Sequence, residues 1–160
     1  MDDITEILDS LKKTPLILEN LVKRIPNEKL KLRRIPESWS IHEHACHIVD
    51  VQPVINERFK VFIMDSKPTF ESYFPGKIDS DSHLIKMNLE KSLHEFYNYR
   101  EELFGLLENV QETYWRKKGE HGEYLEYTPY ILLRHLLMHE YYHMYKIELL
   151  WLTVDAYLPK

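Results

Sequence analysis

"TPYILLRHLLMHEYYHMYKIELLWL", residues 128–152, decides how the chain is read. Thr128 supplies an N-cap and Pro129 the first helical position, so a helix is expected over 129–153. It is apolar nearly all round, with Ile131, Leu132, Leu133, Leu136, Leu137, Met138, Leu149, Leu150, Trp151 and Leu152. A helix of that kind is buried on several sides, either central in a bundle or at a dimer interface. Inside it, His135, His139 and His143 recur every four residues and fall on one stripe.

Three further helices are predicted. Residues 3–25 carry Ile4, Ile7, Leu8, Leu11, Leu18, Leu21, Val22 and Ile25 at helical spacing. Pro15 predicts a kink or a restart there, with Thr14 as cap. Residues 41–64 follow Ser40, whose "SIHE" is a capping-box pattern with Glu43 reaching back; Pro53 should bend that helix. Residues 82–109 place Leu84, Ile85, Met87, Leu89, Leu93, Phe96, Leu103, Leu106 and Leu107 among many charges. The connectors 26–39, 65–81 and 110–127 exceed the roughly 2–8 residues usual between bundle helices. They are long enough to form crossovers or a rim around a pocket. "GEHGEYLEYT" in the last one predicts a small hairpin. The expected fold is all-α: a single four-helix-bundle domain over 1–160.

Composition narrows the function. Hydrophobic residues make up 44% and charged residues 29%, a globular balance. A net charge of −5 argues against nucleic-acid binding. Arg33-Arg34 and Arg116-Lys117-Lys118 read as solvated loop charges. No uncharged apolar run approaches the roughly 20 residues a bilayer needs, so no membrane partner is expected. The acidic start "MDDITEILDS" lacks a signal-peptide pattern and Cys46 is the lone cysteine, which together predict a cytoplasmic protein. Cys46 reads as a small buried hydrophobe.

Residues four apart on a helix stand about 6 Å apart, so two imidazoles can share one divalent ion. His135 and His143 lie about 12 Å apart along the axis, too far for one coordination sphere. A metal site therefore uses His135 with His139, or His139 with His143, and draws a further ligand from another helix. "WSIHEHACHIVD", residues 39–50, offers His47 on one face with Glu43, Asp50, Val51 and Val54. His42 and His44 point elsewhere and are expected to be exposed. On geometry alone, a metal site and a set of core or surface histidines both stand.

The same two segments carry a resemblance. "WSIHEHACHIVD" resembles the W-S-x-x-E-x-x-x-H-x-x-D signature of the DinB-like (DinB/YfiT) superfamily, and "HEYYH", residues 139–143, resembles its H-x-x-x-H element. Order, separation and helical layout match over essentially the whole chain. The resemblance implies a four-helix bundle, often a homodimer, with a divalent metal held by His47, His139 and His143. It also implies a small-molecule substrate, and either transfer of a low-molecular-weight thiol cosubstrate or hydrolysis of a small amide or ester. A non-catalytic metal- or ligand-binding stress protein is the third reading. Relatives often continue the last histidine as H-R-G-Q; here "HMYK" stands instead. Lys146, Tyr142 and His135 flank the ligand stripe and are candidates for the substrate pocket.

Three neutral histidines leave the double charge of the ion uncompensated and a coordination position open, the pattern of catalytic rather than structural sites. Such a site lowers the pKa of water towards about 7 or holds a thiol as thiolate. Imidazoles suit zinc, nickel, iron and copper, with zinc or nickel the expected metal. Asp50 is the candidate orienting residue or base. Glu43 reads as a cap, Trp39 as packing at the helix entrance, and His83, His94 and His121 as histidines without a partner pattern.

Overall fold

The computed structural model describes residues 3–73 and 82–158. Helix α1 spans Ile4–Lys23 and is followed by the short α2, Asn27–Leu30. Helices α3, Ile41–Asp50, and α4, Gln52–Met64, follow in close succession. The two-residue strand β1, Thr69–Phe70, leads towards α5, His83–Lys86, and α6, Leu89–Leu107. The chain then passes through β2, Glu120–His121, into α7, Pro129–Leu152. Four long helical segments, α1, α3–α4, α6 and α7, form the bundle. Helix α7 packs on α3, α1 and α4, the central position its apolar circumference predicts.

The predicted boundaries need four corrections. Pro15 neither restarts α1 nor makes Thr14 a cap. The missing proline N–H orphans the Leu11 carbonyl, and the Thr14 hydroxyl stands 2.9 Å from that oxygen. Pro53 divides the second helix at Val51 rather than bending it, and takes the second position of α4. The third helix is broken at Met87–Asn88, where the Asn88 side chain accepts from the Lys91 amide and caps α6. The expected hairpin reduces to one antiparallel bridge, Gly119–Tyr127; β2 pairs instead in parallel with β1, Thr69 opposite Glu120. Gly119 permits that pairing, because a Cβ there would stand 2.8 Å from the Phe70 ring. The Ser40 capping box forms as expected.

The core has two apolar halves. One gathers Leu11, Phe59, Phe62, Leu103 and Leu133; the other gathers Leu18, Val22, Ile48, Phe96 and Ile147. Between them, four helical segments each contribute one buried polar residue: Thr14, Gln52, Arg100 and Glu140. Glu140 Oε1 accepts from Arg100 Nη2 and, at 3.1 Å, from Gln52 Nε2, while its Oε2 lies 2.6 Å from the Thr14 hydroxyl. A layer of this kind fixes the helices in register, since sliding any one by a turn strands a buried charge.

The basic pair expected in solvent is structural. Arg33 pairs with buried Glu43, and Arg34 donates to the carbonyls of Leu150 and Thr153, satisfying the end of α7.

Candidate metal centre

Packing α3 against α7 brings His47 to His139 and His143. One ligand atom from each lies within 4.8 Å of the other two. His47 Nε2 stands 3.1 Å from His139 Nε2. The capping box fixes the entry to α3 and hence the rotation that aims His47 at α7. The i, i+4 spacing on α7 supplies the other pair. His135 stays outside: it packs on Tyr124, with ring centroids 5.2 Å apart.

His42 and His44 are buried, not exposed. Helix α3 is covered on nearly every side, so turning away from the His47 face does not reach water. His42 Nε2 meets the Leu84 carbonyl at 3.1 Å and Cys46 Sγ at 3.5 Å. Burial pushes the Cys46 thiol up to about 12, so it stays protonated and inert. His44 Nδ1 stands 2.8 Å from His143 Nδ1, a partner the sequence reading missed. The signal was its three-residue spacing from His47, only about 60° off on the helical wheel. Trp39 roofs the cluster, its ring 4.6 Å from that of His47 and 5.7 Å from that of His143.

The four imidazoles are neutral at physiological pH. Burial, with the charges of neighbouring histidines, holds His47 at about 3 and His143 at about 2. Burial alone holds His139 at about 4, and burial with the charge of Lys146 does the same for His44. Neutral rings keep the lone pairs that a metal needs. Two nitrogens sharing a tetrahedral ion at about 2.1 Å lie roughly 3.4 Å apart, close to the His47–His139 separation. Among the described residues, the Nδ1 atoms of His47 and His139 find no protein partner. The converging donor set fits a divalent ion.

Asp50 does not touch the cluster. Its Oδ2 pairs with His83 Nε2 at 2.8 Å and accepts from the Tyr73 hydroxyl at 3.3 Å, so His83 does have a partner. Tyr73 links this pair to the centre, its ring stacked 6.4 Å from that of His47. Tyr142 is exposed with its ring edge-on to His143, and Lys146 Nζ stands 5.4 Å over the Tyr142 ring. Beside His139 lies a cavity of about 180 Å³ between α4 and α7, which His135 also lines.

The fold and the cluster define a class: a four-helix bundle with a buried three-histidine group able to bind a metal. The chain belongs to the DinB superfamily, whose family model matches residues 10–147. Among solved structures it is similar to YfiT from Bacillus subtilis, with a TM-score of 0.80 and 16% identity over 91% of this chain and 84% of that one. That protein is described as a probable metal-dependent hydrolase with an unusual four-helix bundle topology. No curated protein matches the sequence. No helix among the described residues is long and apolar enough to cross a membrane.

Proposed function

We propose that this protein is a divalent-metal-dependent hydrolase of a small amide or ester, with His47, His139 and His143 as ligands and zinc or nickel as the metal. The convergence of three neutral imidazoles from two helices carries this reading. The description of the similar Bacillus subtilis structure supports it. The adjoining cavity also favours a single small substrate, since 180 Å³ falls below the roughly 300–1,000 Å³ of drug-sized sites. When bound, the ion acts as a Lewis acid and activates water at neutral pH. The protein's own part is to hold three lone pairs in place, with Trp39 excluding water above them. Asp50, which holds the His83 imidazole at 2.8 Å, is the candidate base.

Thiol transfer is the second reading. A site of three neutral ligands leaves the ion's charge uncompensated, which favours a thiolate in the open position. The expected homodimer belongs to this proposal too, on the face where Leu16, Ile17, Met138, Tyr141 and Tyr145 are exposed; light scattering tests it. So does the cytoplasmic setting.

Elemental analysis tests the centre. Wild-type protein is expected to carry stoichiometric divalent metal, and His47→Ala and His139→Ala to lose it. Unchanged metal content in both variants removes the reading. With metal loaded, turnover of amides or esters without added thiol supports hydrolysis, and turnover only with thiol supports the second reading.

A further inference from the structure

The cavity beside the histidines carries a second polar group that the centre does not use. Helices α4 and α7 run in opposite directions along it. His47 meets His139 at one end, whereas Arg58 meets Tyr127, just before α7 begins, at the other. Val51 and Arg58 both line the cavity and are seven residues apart, about 10 Å along a helix. Between the two ends the walls are Val54, Ile55, Tyr124, Leu132 and Leu136.

Among the described residues, Arg58 is paired with no carboxylate. Its Nη1 donates to the Tyr127 hydroxyl at 3.0 Å and its Nη2 to the Glu71 carbonyl oxygen at 2.6 Å. Its guanidinium carbon lies 5.9 Å from the centre of the Tyr127 ring. All of these partners are neutral, and among the described residues no carboxylate forms an ion pair with it. Arg33, Arg34 and Arg100, by contrast, each hold a carboxylate. Glu123 also lines the cavity, but on its exposed rim. A half-buried guanidinium fork at the end of a slot walled by aliphatic, aromatic and imidazole side chains matches a carboxylate in geometry and charge.

We propose that the cavity takes a small, flat carboxylic acid, its carboxylate on Arg58 and its reactive end towards His139. The assignment of the reactive end rests on the hydrolase reading; that of the carboxylate end does not. The volume limits the ligand to about one ring with a short chain.

The test measures binding of benzoate, phenylacetate and phenylpropionate, each against its uncharged primary amide. Calorimetry is run on protein stripped by a chelator, so that no metal competes for the carboxylate. In at least one pair the acid is expected to bind about tenfold more tightly, a preference of about 1.4 kcal/mol. Arg58→Gln abolishes that preference, and Arg58→Lys, which keeps charge but loses the fork, retains part of it. Thermal melts verify that both variants are folded, and the lysine variant carries the test if the glutamine variant is not. No preference in any pair, including no binding at millimolar concentration, overturns the proposal. So does a preference that survives Arg58→Gln, or one undiminished in Arg58→Lys. Metal content of the unstripped protein is read in parallel. Protein that binds no metal yet prefers the acids ends the hydrolase reading and keeps the Arg58 site; metal-bearing protein without the preference does the reverse.

Discussion

His139 and Glu140 are neighbours in sequence and belong to two buried polar groups of opposite character. On the Glu140 side, both carboxylate oxygens are engaged by residues of other helical segments, Thr14, Gln52 and Arg100. On the His139 side, four imidazoles crowd together, their mutual contacts are between like groups, and two ring nitrogens have no partner. The first group sets a carboxylate against a guanidinium, an amide and a hydroxyl, and serves the fold, although Arg100 Nε and Nη1 stay unpartnered. The second gathers three imidazoles whose ligand atoms could hold a metal ion. The pairing of opposite charges in one and of like, neutral groups in the other, more than burial, separates the two clusters.

Acid should break this comparison most severely. The folded-state pKa values of His44, His47, His139 and His143 lie at about 4, 3, 4 and 2, below the ordinary 6.5. The unfolded chain therefore binds protons that the folded chain refuses between those values. The stability that neutral rings contribute is full above about pH 6.5 and is lost as pH falls towards 4 and below. Because charged rings repel one another, the loss steepens as each further ring is forced to take up a proton. Chelator-treated protein is expected to show a steeply falling melting temperature from pH 7 to pH 4, and metal-loaded protein a later fall. A flat profile over that range would mean that water already reaches the cluster.

Substituting Glu140 attacks the other side. Glu140→Gln leaves the Arg100 charge buried without its counter-ion, and urea unfolding should register a loss of about 3–5 kcal/mol. Replacing both, as Glu140→Leu with Arg100→Met, should restore most of that stability, because two apolar side chains carry no desolvation cost. Arg100 makes the prediction sharper, since its Nε and Nη1 already lack partners. Metal content should be unchanged in the double variant. If metal is lost with the layer intact in stability, the two groups are one system.

The two groups differed in legibility as well. The bundle was readable because periodicity and caps are local: Ser40, Thr128 and Pro129 mark two helix starts correctly. Within the cluster, the helical face singled out His47 and the i, i+4 spacing left His135–His139 and His139–His143 both open; the choice of His143 over His135 came from the resemblance. Thr14, Gln52, Arg100 and Glu140 were invisible as a layer, because one polar residue per helix has no spacing to detect and only packing brings the four together. The helix breaks at Val51 and Met87 shift positions by a residue or two, which pattern alone does not fix. His44 was misplaced for another reason: a helical wheel says which way a side chain points, not what lies there.

The gentlest intervention concerns His44. With His143 Nδ1 engaged by His44 Nδ1 at 2.8 Å, His143 has Nε2 left to offer a metal. One ring of that pair donates and the other accepts, so His44 fixes which tautomer His143 adopts. Partners of this type hold a ligand ring in orientation, and their loss typically costs about 10–100-fold in metal affinity. His44→Phe keeps an aromatic ring beneath Trp39 but removes the nitrogen. It should weaken metal binding by that factor in a competition with a chelator and leave the melting temperature of the metal-free protein nearly unchanged. His44→Asn, whose amide sets a polar atom close to the position of Nδ1, should recover part of the affinity. If both variants bind metal like the wild type, His44 belongs with Glu140 among the residues that merely complete the fold, and the division between the two sides of α7 moves one residue inward.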